Sequence, residues 1–230
     1  MLLGSTQVLA QQPGFSIDEL LGKVKLSLFG DDHNLRKQAS DAFVRMQSAA
    51  KTDGISIYSL SSYRSYAHQN WIWERKFAAY TQKGLAPPQV IKAIILYSAI
   101  PGTSRHHWGT DLDVIDHAVP RPPNPLLEKH YQPGGVYGRL GQWLRSRSHE
   151  FGFYEAYTRS ANRSGFAHEP WHLSFRDLAV PMLEAYLKID LKSLLQSSEI
   201  MGSAHFTDAF IQSYRDNNIK SITSVRLRIE

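Results

Sequence analysis

The chain has 230 residues, with 26 lysines and arginines against 21 aspartates and glutamates, and it contains no cysteine. The formal net charge of +5 is spread along the chain, which argues against a nucleic-acid-binding surface, and no stretch approaches the roughly 18 apolar residues of a membrane span. Without cysteine there can be no disulfide, thiolate nucleophile or thiolate metal site, so any metal must be held by histidine and carboxylate side chains.

Capping residues and hydrophobic spacing predict the elements of the first half of the chain. Ser16 is the cap of a predicted helix, Ser65 is the cap of another, and Pro87 and Pro88 suit the first turn of a third. The predicted elements are a helix over 17–29, a helix over 35–50, a strand over 55–60, a helix over 66–82 and a short helix from 87.

In the second half of the chain, the spacing of apolar residues changes more often between a helical and a strand period, and one segment is rich in proline. The predicted elements are a strand over 110–116, a long surface loop over 119–135, a helix over 136–150, an extended segment over 169–175, a helix over 176–187 and an edge strand over 225–230. Asp111 and Asp113 would share the polar face of the 110–116 strand. Strands and helices do not alternate regularly, which favours an α+β fold with a small, mostly antiparallel sheet flanked by helices.

Reactive side chains concentrate in three islands, at 61–69, 101–113 and 166–172. In the second island, His106 and Asp113 have side chains that suit zinc, and a turn at Gly109 could bring them together. His107 is an alternative ligand, but adjacent residues point in different directions and only one is expected to bind.

The third island reads His-Glu-Pro-Trp-His over 168–172, which matches the helical zinc signature H-E-x-x-H. A helix is not expected here, because Pro170 lacks a backbone donor and disfavours the helical conformation of the preceding residue. The alternative is a strand that carries His172 as a metal ligand, with Glu169 beside the metal as a base. His168 would then lie near the site or at the surface.

Three motifs occur in order: S-x-Y-R-S at 61–65, P-G-x-S-x-H-x-x-G-x-x-x-D at 101–113 and E-x-W-H at 169–172. Together they resemble the VanY-type D-alanyl-D-alanine carboxypeptidases. These belong to the LAS group of zinc peptidases, which also includes lysostaphin-like enzymes and hedgehog domains. The resemblance spans 61–175, about half of the chain, and implies a LAS- or hedgehog-like zinc peptidase fold.

The resemblance also implies a role for each matching residue. Zn²⁺ would be held by His106, Asp113 and His172, and Glu169 would be the catalytic general base. Arg64 would bind the substrate or stabilise the developing oxyanion. The substrate-binding candidates are Arg64, Ser104, Tyr63, Ser61, Gln69 and Trp171.

The chain departs from the family pattern at two positions. Arg105 stands where the family often has an acidic residue, and Asp111 stands where it usually has a small apolar residue. Neither change removes a ligand, although Asp111 could compete with Asp113 for the metal.

The implied activity is zinc-dependent hydrolysis of peptidoglycan stem peptides, with a D,D-carboxypeptidase that releases terminal D-alanine from muropeptides as the leading prediction. An L,D-carboxypeptidase and a D,D-endopeptidase of the same family are alternatives. A non-catalytic cell-wall-binding module is a further alternative, which the intact Glu169 and Arg64 disfavour.

We expect an N-terminal tail over 1–15, a zinc peptidase domain over 16–201 and a C-terminal extension over 202–230 that packs on the same domain. Residues 1–12 lack the basic and long apolar regions of a signal peptide. A location in the cell envelope, periplasmic or extracellular, is therefore implied by the substrate alone.

Overall fold

A four-stranded sheet lies at the centre of the computed structural model, which describes residues 14–161, 163–196 and 199–222. The strands are β1 (Ile57–Ser61), β2 (Asp111–Asp116), β3 (Phe153–Glu155) and β4 (His172–Phe175). They lie in the order β1-β2-β4-β3, and each neighbouring pair is antiparallel. The predicted α+β fold with a small antiparallel sheet is confirmed, and β3 is a strand that the sequence did not predict.

Helices surround this sheet. Those described are α1 (Ile17–Leu20), α2 (Lys37–Thr52), α3 (Tyr66–Gln82), α4 (Pro87–Ile94), α5 (Glu128–Tyr131), α6 (Gly138–Arg147), α7 (Arg176–Tyr186), α8 (Leu191–Gln196) and α9 (Asp208–Tyr214). Single 3₁₀ turns cover Arg105–Trp108, Ser148–Phe151 and Ser203–His205, and a π-helical turn covers Arg215–Lys220. Within the described ranges, no helix has both the length and the apolar character that crossing a bilayer requires.

Local signals set both ends of α3 and the start of α1, where the Ser16 hydroxyl accepts from the Glu19 backbone as predicted, but they do not set the end of α1. α3 begins after Ser65, whose hydroxyl accepts a hydrogen bond from the His68 backbone, as the sequence predicts. The predicted helix over 17–29 is wrong, because α1 ends at Leu20 and Gly22 adopts a left-handed φ of +71°. There the Gly22 carbonyl accepts from the Tyr66 backbone, so a tertiary contact replaces the next helical turn.

The described core consists mainly of two hydrophobic clusters. One lies between the sheet and helices α2 and α6, where Leu112 and Val114 pack with Phe43. The other joins α3, α4 and α7 to the C-terminal helices, and it includes Trp73 and Trp108. The functional cleft described below is lined from elements of both clusters.

The 3₁₀ turn at Arg105–Trp108 is held by segments from both ends of the described chain. Trp108 donates its indole N–H to the Leu20 carbonyl at 3.2 Å, and its own carbonyl accepts from Arg36 Nε at 2.6 Å. On the C-terminal side, the Tyr214 hydroxyl accepts from the Ile100 backbone and contacts the Thr103 hydroxyl at 2.8 Å. The position of this turn therefore depends on residues distant in sequence.

The proline-rich segment over 119–135 contains the short helix α5 and reaches the cleft. The Tyr131 hydroxyl donates to the Val114 carbonyl at 2.7 Å, and its ring lies 5.5 Å from that of Trp171. Leu126 and Leu127 line the cleft wall. The predicted strand over 225–230 lies outside the described residues, as does most of the predicted tail.

Candidate metal centre and active-site cleft

Three buried side chains from separate elements converge at one point. His106 lies in the 3₁₀ turn, Asp113 on β2 and His172 on β4, and one potential ligand atom of each lies within 4.8 Å of the others. His106 Nε2 is 3.4 Å from Asp113 Oδ2, and His172 Nδ1 is 3.2 Å from Asp113 Oδ1. The structure thus brings together all three predicted metal ligands.

Sheet register and one glycine produce this convergence. Asp113 and His172 are directly opposed residues of the β2–β4 pair, so their side chains project from the same face. The turn that carries His106 ends at Gly109, which has a φ of +67°. A Cβ there would lie 3.0 Å from Leu28 Cδ2, so a glycine suits both the backbone conformation and the packing.

Hydrogen bonds on the far side of each imidazole fix its orientation. His106 Nδ1 donates to the Ser62 carbonyl at 2.6 Å, and His172 Nε2 donates to Asp111 Oδ2 at 2.9 Å. The opposite nitrogen of each ring therefore faces Asp113. Such outer partners are typical of histidines that bind metals. Burial lowers the pKa of His172, but hydrogen bonds to Asp111 and Asp113 outweigh it and raise that pKa to about 9, so a bound metal would displace a proton from Nδ1 of this ring.

The two residues considered as competing ligands lie outside the cluster. Asp111 is on the outer side of the His172 ring, where it accepts the bond just described. His107 donates from Nδ1 to the Arg64 carbonyl, and its Nε2 accepts from the Gly102 backbone. Burial lowers the pKa of His107 to about 4, so this ring is neutral and serves as a structural link.

Arg64 lies beside the cluster with each guanidinium nitrogen engaged. Its Nη2 donates to Asp113 Oδ2 at 3.0 Å, its Nε to Ser61 Oγ at 3.0 Å and its Nη1 to Gln69 Oε1 at 3.1 Å. Gln69 is fully buried and is itself held by a 2.8 Å bond to the Ala99 carbonyl. Ser61 and Gln69, predicted to bind substrate, are placed here as partners that orient Arg64.

Glu169 is buried next to His172, with Oε2 3.7 Å from Nδ1 of the imidazole. Residues 168–171 are not helical, and β4 begins at His172, as the proline argument predicts. Burial raises the pKa of Glu169 from 4.5 to about 7. A carboxyl group with a pKa near neutrality can both accept and donate a proton.

The remaining predicted binding residues lie at different distances from the cluster. Ser104 and Trp171 line the cleft, and both are largely buried. Tyr63 points away from it, and its hydroxyl donates to the Val24 carbonyl at 3.3 Å. The reason is local, since neighbouring residues of an extended segment project in opposite directions and Arg64 takes the inner one.

The cleft around the cluster has a volume of about 600 Å³ and contains a cation that the sequence did not indicate. Lys76 of α3 lines this cleft and makes no ion pair with any residue that the structure describes. Burial lowers the pKa of Lys76, and the charge of Arg64 lowers it further. The helical spacing of Gln69, Ile72 and Lys76 is the signal that could have identified it, because such residues share one helix face.

His168 forms a separate link next to the site. Its Nδ1 lies 2.7 Å from Glu128 Oε1, and its Nε2 lies 2.8 Å from Glu155 Oε1. The hydrogen bond to Glu155 raises the pKa of His168, and the bond to Glu128 acts in the same direction. The imidazolium thereby ties the 119–135 segment to strand β3.

A buried cluster of two histidines and one aspartate with a neighbouring glutamate is typical of metal-dependent hydrolases. The family model for VanY, described as D-alanyl-D-alanine carboxypeptidase, matches residues 32–178, and the chain therefore belongs to this family. The resemblance inferred from the three motifs is confirmed.

Relatives and solved structures agree with this assignment. A D-alanyl-D-alanine carboxypeptidase of Enterococcus faecalis is 30% identical over 128 residues, which are 55% of this chain and 42% of that relative. The chain thus aligns with less than half of this relative's length.

Two solved structures share the fold, each with a TM-score of 0.53. A vancomycin resistance D,D-pentapeptidase VanY mutant in complex with Zn(II) is 23% identical, and the match covers 71% of this chain and 89% of that one. VanYB in complex with D-alanine-D-alanine is 21% identical, with 84% and 93% covered.

Proposed function

We propose that this chain is a zinc-dependent D,D-carboxypeptidase that releases the terminal D-alanine from peptidoglycan stem peptides. The observation that carries the proposal is the convergence of His106, Asp113 and His172 in one cleft with Glu169 and Arg64 beside them. Membership of the VanY family supports this reaction class. A peptidoglycan substrate would place the activity in the cell envelope, periplasmic or extracellular.

The donor set suits zinc. Two neutral imidazoles and one carboxylate are a common catalytic zinc set, and they leave one position open for water or substrate. Asp113 Oδ1 is buried and forms no well-aligned hydrogen bond, and its neighbour at 3.2 Å is Nδ1 of His172, itself a predicted ligand. A cation between these atoms would satisfy both. Zinc, when bound, supplies a Lewis acid that polarises a carbonyl group and makes the attacking water more acidic.

The chain's own residues then transfer the proton and stabilise the negative charge that develops on the substrate. Glu169 accepts a proton from the attacking water as the new C–O bond forms, and it returns that proton to the amine nitrogen as the C–N bond breaks. Arg64, fixed by Ser61 and Gln69, donates hydrogen bonds where negative charge develops on the carbonyl oxygen.

A second cation is available for the free carboxylate of the substrate. Arg64 is held at the catalytic cluster by three side chains. It is therefore better placed to contact the reacting carbonyl group of the substrate than the substrate's terminal carboxylate. Lys76 lines the same cleft and has no ion-pair partner among the described residues. We assign it to the terminal carboxylate, with Ser104 contributing a hydrogen bond near the metal.

Incubation of the zinc-loaded protein with purified muropeptides, followed by mass spectrometry of the products, tests the proposal. We expect loss of a single terminal D-alanine from pentapeptides. His106→Ala should lose both zinc and activity, whereas Glu169→Gln should keep zinc and lose turnover by roughly 10²- to 10⁴-fold. Cleaved crosslinks or tetrapeptide trimming would instead indicate an endopeptidase or an L,D-carboxypeptidase. A Glu169→Gln variant as active as the wild type would refute the mechanism.

A further inference from the structure

A buried polar network lies behind His172, on the side away from the metal cluster. Asp111 Oδ2 accepts from His172 Nε2 at 2.9 Å and from Arg105 Nε at 2.8 Å. Arg105 Nη2 donates in turn to Ser174 Oγ at 2.5 Å and to the Tyr154 hydroxyl at 3.0 Å. Asp111 is completely buried and Arg105 is 5% exposed, so these charges have little contact with solvent.

Arg105 and Asp111 form an ion pair within this network. A buried aspartate without a cationic partner would be strongly destabilising, and so would a buried arginine without an anionic one. Each buried charge therefore requires the other. Stacking of the Arg105 guanidinium on the Trp108 ring, at 4.7 Å, further fixes the arginine.

The two imidazoles of the cluster consequently have different outer partners. His106 donates to a neutral backbone carbonyl, whereas His172 donates to a carboxylate. A carboxylate acceptor fixes the tautomer of the ring and makes the opposite nitrogen a stronger electron donor. Asp111 also accepts from Ser174 Oγ at 2.9 Å and Thr110 Oγ1 at 2.7 Å, both through Oδ1, so its own orientation is constrained.

We propose that Arg105 and Asp111 are positioning residues that act as a pair on the metal ligand His172. Asp111 holds the imidazole with Nδ1 directed at the metal position, and Arg105 orients Asp111 and balances its charge. This inference rests on the proposed metal-dependent function, since it concerns how tightly that metal is held.

The test compares zinc affinity among full-length variants by competition with a chromogenic chelator at constant pH. Asp111→Asn removes the charge and keeps an oxygen acceptor, so we expect about tenfold weaker zinc binding. The double variant Arg105→Met/Asp111→Leu removes both buried charges and the acceptor together. It should fold, because apolar side chains of similar volume can replace a buried ion pair, and it should bind zinc about 100-fold more weakly.

Glu19→Gln is the matched control. It breaks the ion pair between Glu19 and Arg36. Arg36 also supports the turn that carries His106, through its bond to the Trp108 carbonyl, but neither residue of the pair contacts a predicted metal ligand. Its zinc affinity should equal that of the wild type, and the absorption spectrum of its cobalt(II) form should be unchanged. The spectra of Asp111→Asn and of the double variant should shift, a response that loss of stability alone would not produce.

Wild-type affinity and an unchanged cobalt spectrum in both Asp111 variants would overturn the proposal. An equal loss of affinity in Glu19→Gln would overturn it as well, because the effect would then be general. Zinc binding is read without turnover, so a wild-type protein that binds zinc and releases no D-alanine would contradict only the proposed function. A wild-type protein that binds no zinc would overturn both.

Discussion

Replacement of Glu169 by glutamine should stabilise the metal-free protein at high pH. The ionised carboxyl group is disfavoured because it is buried, and its pKa rises from 4.5 to about 7. A shift of this size corresponds to roughly 3 kcal/mol of folding free energy, since each pKa unit is worth about 1.4 kcal/mol. Glutamine has a similar shape and no charge, so it avoids this cost.

The sign of the pH dependence follows from linkage. A carboxyl group whose pKa is higher in the folded state favours folding fully only below its unfolded pKa. That contribution is lost as pH rises from about 4.5 to about 7. The free energy of unfolding of Glu169→Gln minus that of the wild type should therefore grow by about 3 kcal/mol between roughly pH 4.5 and pH 8.

Urea unfolding of both proteins in the presence of a chelator, at these two pH values, measures the difference directly. Glu150→Gln is a suitable control, because a hydrogen bond from Arg147 lowers the pKa of the exposed Glu150 carboxyl group. Its difference from the wild type should change little between these two pH values, because a lowered pKa places its titration mostly below pH 4.5. A Glu169→Gln difference that stays constant between the two pH values would refute the claim that burial of this carboxylate is costly.

Three further changes test other parts of the site. Arg64→Lys keeps the charge but loses the fork of donors, so kcat should fall about 100-fold in muropeptide turnover; an unchanged kcat would argue against a role at the oxyanion. Lys76→Met should raise KM about tenfold with little change in kcat, which corresponds to the loss of one charge-assisted hydrogen bond to the substrate. A tenfold fall in kcat with an unchanged KM would contradict binding of the terminal carboxylate by Lys76. In thermal unfolding, His168→Gln should destabilise the protein more at about pH 6 than at about pH 9. The pKa of His168 is raised in the folded state, so its protonated ring stabilises the fold at low pH, and this stabilisation is lost as pH rises through the folded-state pKa. Equal destabilisation at the two pH values would indicate that the imidazolium does not contribute.

Elements with strong local signals could be predicted from the sequence. The ends of α3 follow from the Ser65 cap and from a helical pattern that no distant contact interrupts. The predicted length of the first helix was too great, because only the middle of its apparent apolar face, at Leu20 and Leu21, is buried. Ile17 is 58% exposed and Val24 is 39% exposed. The hydrogen bond between Gly22 and Tyr66, which redirects the chain, is a long-range contact that periodicity does not report.

The same distinction applies to the site. The spacing of the motifs identified the ligand residues, but only the register of β2 against β4 explains why Asp113 and His172 face each other. Arg105 and Asp111 could be noticed as departures from a pattern, yet their contact depends on the fold of the turn between them. Lys76 was missed because a single lysine within a helix is ordinarily a solvent-exposed residue.

The support of the His106 turn from both ends of the chain limits how this domain can be recombined. The family match covers 32–178, whereas the Trp108 and Thr103 contacts come from Leu20 and Tyr214. A chimera that grafts only the matched stretch into a relative would transplant the ligands without their scaffold. Successful grafts should include at least residues 20–214 as one block, and exchange of shorter pieces should yield chains that retain every ligand and still bind metal poorly.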